Sequence, residues 1–110
     1  MRFILNILRG IKERCGKDFP VIVRLTADEC YSYIGEENKG YTLDDGIRAA
    51  KMLEENGADA IDVSSAGYDT FNYWLEPVSF EPGWRKHFAK AIKENVSVPV
   101  LAANLIRSPE

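Results

Sequence analysis

Histidine occurs once in this chain of 110 residues and cysteine only twice. The two cysteines, Cys15 and Cys30, lack CxxC spacing and companion ligands, which excludes a metal centre of the Cys/His type. They suit a reducing cytosol, hence a cytoplasmic location, and are expected as buried or half-buried thiols. Long apolar runs are missing too. Nothing approaches the roughly 18 residues that a membrane span requires. The short run Met1–Leu5 is interrupted by Asn6, Arg9, Lys12 and Glu13 with no small-residue cleavage site after it, so it reads as helix and not as a signal peptide. Basic residues are scattered and the net charge is −3, which leaves no electrostatic footprint for nucleic acid. There is no GxGxxG loop, and the single histidine, His87, lies beside Lys86 and Lys90 in a helical pattern, where a surface position is expected.

What the chain does contain is a repeat. Ile4, Ile7, Leu8 and Ile11 recur at helical spacing, widened by Phe3 and Leu5, up to Gly16, which is expected to close the helix in the left-handed conformation. Phe19-Pro20 then introduces Val21–Leu25, a β-branched run with little alternation, as in a strand buried on both faces of a parallel sheet. A second helix is capped by Thr42, with Asp44 and Asp45 in its first turn; Ile47, Ala50, Met52 and Leu53 form its apolar side, and it ends at Asn56-Gly57. Ala58–Ser64 is the next strand. A third helix, roughly Gly83–Asn95, carries Trp84, Phe88, Ala91 and Ile92 before the strand Pro99–Ala102. Pro20, Ala58 and Pro99 occupy similar places at a period of about 40 residues.

This pattern predicts an α/β fold of about three α–β units with parallel strands, a partial (β/α)8 TIM barrel. A complete barrel needs about 250 residues. An open doubly wound sheet shares the pattern. Helix-to-strand links are short, whereas the strand-to-helix links, Thr26–Tyr41 and Ser65–Pro82, run to about 16 and nearly 20 residues. Loops of that length inside compact domains are usually functional, and they lie at the carboxyl ends of the strands, where α/β sites form.

Polar residues mark those strand ends. Arg24 interrupts a β-branched strand, and a cation there needs a partner. Either an acidic neighbour such as Asp62 pairs with it, or it holds an anion or electron-rich ligand. Asp62 itself either pairs within the barrel or orients Ser64 and Ser65. Ser64-Ser65-Ala66-Gly67 is small enough to admit a ligand to the backbone. In the second long loop Tyr68 and Asp69 lie nearest the strand end, as candidates to meet a substrate, while Phe71, Tyr73, Trp74 and Phe80 suit a lid packed on the rim. No nucleophile–base–acid set is present, so the catalytic residues stay unassigned and a cofactor or further strands must supply any chemistry.

The segments Phe19–Leu25, Gly40-Tyr41-Thr42-Leu43-Asp44-Asp45-Gly46, Ala60–Ser64 and Val98-Pro99-Val100, taken in order, resemble the Old Yellow Enzyme family of FMN-dependent NAD(P)H:flavin oxidoreductases. Asn104 with Ser108-Pro109-Glu110 resembles its 2,4-dienoyl-CoA reductase branch, with Asn in place of the usual Gly. The resemblance implies that residues 1–110 are a single internal fragment of an FMN-binding barrel, from about helix 4 to strand 7. It implies FMN as cofactor, NADH or NADPH as electron donor, and an activated alkene or enoyl-type small molecule as substrate. Arg24 becomes the strand 5 arginine beside the flavin pyrimidine, and Asn104 the start of the phosphate region, acting mainly through backbone N–H groups. The substrate-anion pair and proton-donor tyrosine of the family precede Met1. The histidine that dienoyl-CoA reductases carry after strand 6 has Asp69 near its place. In larger members an iron–sulfur cluster and an FAD domain follow the barrel, beyond this chain. The fragment alone is expected to be inactive and to form a homo-oligomer through its exposed barrel edges. Two other readings stay open: a non-catalytic half-barrel that self-associates, and a piece of another phosphate-binding barrel such as a dihydroorotate dehydrogenase relative.

Overall fold

The computed structural model describes residues 1–108; Pro109 and Glu110, which carry part of the branch resemblance, lie outside the described residues. Three parallel strands form one sheet in the order β1 (Ile22–Thr26), β2 (Ala60–Ser64) and β3 (Val100–Ala102). Helix α1 (Arg2–Cys15) precedes β1, α2 (Leu43–Glu55) joins β1 to β2, and α4 (Lys86–Lys93) joins β2 to β3. The second long link carries a short 3-10 turn and a one-turn helix, α3 (Phe71–Trp74); the first carries a 3-10 turn at Tyr31–Ile34. The fold is therefore the expected α/β repeat with parallel strands. No helix among the described residues is long and apolar enough to cross a membrane.

Local chemistry explains the boundaries. Thr42 opens α2: its backbone N–H donates to Asp45 Oδ2 at 3.1 Å and its hydroxyl to the same oxygen at 2.9 Å. Two donors that the helix cannot satisfy are thus met by a first-turn carboxylate, which is held below its usual pKa by these two bonds. Gly16 closes α1 with φ +99° but ψ 157°, outside the expected left-handed helical region, and its N–H still reaches Lys12 O. That combination is open only to glycine.

The sheet register decides which side chains share a face. Val23 and Leu25 stand opposite Ile61 and Val63, and Val100 opposite Ile61. These residues join Leu5 and Leu8 of α1, Ala50 and Leu53 of α2, and Phe88 and Ile92 of α4 in one core cluster. Every long helix therefore covers the same face. The other face carries Ile22, Arg24 and Leu101, all exposed. A doubly wound sheet would have helices on both faces, so the one-sided cover favours the barrel. The radius of gyration, 14.8 Å, exceeds the roughly 13 Å of a compact domain of this length.

Three expectations are corrected. β1 is not buried on both faces, because among the described residues every long helix packs on one face and leaves Ile22 and Arg24 exposed on the other. Phe3, Ile7 and Met52 are exposed, and Ala49 and Ala89 take core positions instead, since one sheet face accepts only a narrow stripe from each helix. Cys15 is exposed at the end of α1, whereas Cys30 is fully buried.

Candidate functional site at the strand ends

Parallel pairing brings Arg24 level with Asp62 on the adjacent strand. Arg24 Nη1 donates to Asp62 Oδ2 at 2.7 Å, with the two side chains 56% and 22% exposed. Arg24 Nη2 makes only a long contact, 3.4 Å, to Ser64 Oγ. The cation therefore has its acidic partner and still presents donors to solvent. Both roles read from the sequence, ion pair and ligand contact, are open to it at once.

These side chains border an open cleft of about 410 Å³ lined by Arg24, Thr26, Ser64, Ala66, Gly67, Tyr68 and Trp74. Tyr68 is 84% exposed and meets Trp74 edge-on at 5.3 Å between ring centroids. A Cβ added at Gly67 would meet nothing within 4 Å, so open space lies beside that backbone. A cation, two hydroxyls, small residues and an aromatic wall suit a flat, electron-rich or anionic ligand.

The two long loops are tied together behind the cleft. Ala66 N–H donates to Asp28 O at 2.6 Å. The Thr70 hydroxyl donates to Glu29 O at 2.7 Å and accepts from Gly67 N–H at 3.0 Å. The Asp28 carboxylate receives the N–H groups of Cys30 at 2.6 Å and Leu43 at 3.1 Å. Together these bonds satisfy backbone groups that a 16-residue loop would otherwise leave unpaired.

The four predicted site residues separate into three places. Arg24 and Tyr68 share the cleft. Asp69 does not line it; its carboxylate accepts from the Tyr31 hydroxyl at 2.7 Å, and Lys39 Nζ lies 3.8 Å away and 4.6 Å above the Tyr31 ring. The bond to Asp69 holds the Tyr31 phenol above its usual pKa, so it stays protonated and donating. Asn104 stands beyond Trp74: its amide donates to Glu76 Oε2 at 2.9 Å and reaches Trp74 O at 3.5 Å. Its φ is +79° and that of Leu105 is +48°. His87 is a helix-surface residue as expected, with Nδ1 on Trp84 O at 2.8 Å and Nε2 near the Tyr33 hydroxyl at 3.4 Å.

Sequence reasoning missed Glu76 and Arg85. Arg85 Nε donates to Glu76 Oε1 at 2.6 Å with side chains 2% and 1% exposed. The signal existed: Arg85, Phe88, Ala89 and Ile92 follow helical spacing, which sets a charge in the apolar stripe and demands a partner. Glu76 could not have been named as that partner, because loop geometry decides it.

A family model described as the NADH:flavin oxidoreductase / NADH oxidase family matches residues 1–110. Among similar proteins, an NADH oxidase of Thermoanaerobacter brockii is 44% identical over 110 residues, which cover 100% of this chain and 16% of the relative. A cinnamate reductase of Clostridium sporogenes is 33% identical over 119 residues, covering 100% of the chain and 18% of the relative. An NADPH dehydrogenase of Bacillus cytotoxicus is 30% identical over 107 residues, covering 97% and 27%. The chain thus spans well under a third of the length of these relatives.

Proposed function

The chain belongs to the NADH:flavin oxidoreductase / NADH oxidase family, and on that premise we propose that it is an internal segment, about helix 4 to strand 7, of an FMN-binding (β/α)8 barrel. The protein it forms part of is an oxidoreductase that uses NADH or NADPH and reduces an activated alkene or related enoyl-type acceptor. The observation that carries this reading is Arg24, a half-exposed cation beside the cleft with Nη1 on Asp62 and Nη2 held only by a long contact to Ser64.

The residues fit the cofactor. The cleft offers a permanent positive charge, the space beside Gly67 and an aromatic wall at Trp74. When bound, FMN supplies hydride transfer between a nicotinamide and the acceptor. Arg24 contributes a fixed charge that favours electron-rich and anionic groups, and Asp62 holds the guanidinium in place. Tyr68 and Trp74 form the aromatic wall of the cleft, and Tyr68 is the residue placed to meet a substrate. Asn104 contributes through backbone N–H groups at the phosphate end, since its side chain is committed to Glu76. Asp69 is engaged by Tyr31 and serves the loop more than the substrate.

The test is Arg24→Ala in the full-length protein. FMN is expected to bind about tenfold more weakly, with slower flavin reduction by NADH or NADPH. Unchanged FMN retention, spectrum and reduction rate would refute the role.

A second reading concerns the segment by itself. Its sheet has two unpaired edges, β1 and β3, and exposed Ile22 and Leu101 on its bare face. Such edges favour association, so the isolated chain is an inactive homo-oligomer that binds no FMN tightly. Light scattering after size exclusion that gives a clean monomer counts against this, as does a protein-bound flavin spectrum on adding FMN.

A further inference from the structure

We propose that the buried Arg85–Glu76 pair is the positioning element of the cleft, setting Trp74 and Asn104 in the arrangement that FMN requires; this rests on the reading of the segment as part of an FMN site. A buried ion pair is an expensive way to fill space, because apolar side chains of similar volume usually serve as well or better. Its polar atoms can do what apolar ones cannot, which is to hold backbone carbonyls and a side-chain amide. Arg85 Nε takes Glu76 Oε1, and Nη2 takes Trp74 O at 2.5 Å with Tyr73 O at 3.5 Å. Those two carbonyls end the one-turn helix α3; Tyr73 O also accepts the Ser65 hydroxyl at 2.9 Å, so it is Trp74 O that depends chiefly on Arg85.

The far oxygen of Glu76 receives the Asn104 amide, as described above. Asn104 and Leu105 are two successive residues in the left-handed region, an arrangement that needs outside support. The support comes from this same corner. Besides the Asn104–Glu76 bond, Gly83 N–H donates to Leu105 O at 2.9 Å, two residues before Arg85. One guanidinium and one carboxylate thus join three parts of the chain: the wall of the cleft at Trp74, the start of α4, and the turn after β3. Trp74 borders the same cleft as Arg24, and Asn104 opens the stretch assigned to the phosphate. Moving the pair would misplace both ends of the ligand together. Arg85 and Glu76 line no part of that cleft, so they act through Trp74 and Asn104 and are positioning residues.

The experiment uses the full-length protein with FMN as the probe. Glu76→Leu combined with Arg85→Met replaces the pair by apolar groups that a core can accept. The expected result is a folded protein with a lowered melting temperature, since Trp74 O loses its donor, FMN binding weakened about tenfold, and a shifted bound-flavin absorption band. A folded double variant with wild-type FMN affinity and an unaltered band overturns the proposal. If the double variant does not fold, Asn104→Gly takes its place, since it removes the amide that reaches Glu76 and Trp74 O while glycine accepts the positive φ. It is expected to weaken FMN several-fold, and an unchanged affinity overturns the proposal equally. Arg24→Ala separates the two levels. A wild-type protein that binds no FMN, or binds it without regard to Arg24, removes the FMN site and this inference with it. FMN binding that depends on Arg24 but tolerates loss of the pair removes the inference alone.

Discussion

Arg24 and Asp62 stand at the same level of adjacent parallel strands and are joined by a 2.7 Å hydrogen bond on the face of the sheet that no helix covers. A pair this exposed contributes little to stability, about 0–1 kcal/mol. Its importance lies in the field it sets at the strand ends. Asp62→Asn leaves the Arg24 charge unopposed and is expected to move the midpoint potential of bound FMN to more positive values, with little change in melting temperature. Spectroelectrochemical titration of the full-length protein checks this, and a potential that stays put or falls argues against Arg24 facing the flavin.

Gly46 lies in the first turns of α2, where alanine would ordinarily favour the helix. A Cβ there would sit 2.2 Å from the backbone oxygen of Ala27. Backbone at the entry to the first long loop cannot move away cheaply. Gly46→Ala is therefore expected to destabilise by about 1–3 kcal/mol, measured by denaturant unfolding; a neutral or stabilising result would mean that the loop is free to shift.

The two thiols should differ sharply. Cys30 is fully buried, and its pKa is pushed up to about 12, first by burial and then by the nearby Asp28 carboxylate. Cys15 is exposed. At mildly alkaline pH, a disulfide reagent is expected to modify Cys15 quickly and Cys30 only after unfolding. Equal rates in the native protein would contradict the packing around Cys30.

Acid should loosen the helix-to-strand corners. Glu54 accepts the Ser97 N–H at 2.8 Å, the Ser97 hydroxyl and the Val98 N–H at 3.0 Å. These bonds, the hydroxyl first, hold its carboxyl below the ordinary 4.5. Asp59 is held below 3.8 by Lys12 and then by the Val21 N–H, and Asp45 likewise by Thr42. A carboxylate with a depressed folded pKa adds stability above its unfolded pKa, and loses it as pH falls through the folded value. Melting temperature should thus be level above about pH 5 and drop below it. Glu54→Gln should lower it at neutral pH and flatten the acid limb. A variant whose acid limb matches wild type would remove Glu54 from this account.

Much of this protein was legible from local chemistry. Thr42 with Asp45, the β-branched run through Arg24 and the Asn56-Gly57 stop are decided within a few residues, so the three helices, the three strands and the long loops at one end follow from the chain alone. The same reasoning found Arg24, because a charge within an apolar strand is conspicuous in one dimension. Its partner was only a candidate until the parallel register set Asp62 beside it across 38 residues. Which helix faces are covered, why Ile22 is bare while Ile61 is buried, and where Asn104 points depend on contacts between distant segments. The sequence by itself determined the elements and the end of the sheet that carries the site. Only the tertiary structure decided that Arg85 meets Glu76, because a buried charge advertises its need for a partner but not the partner's position.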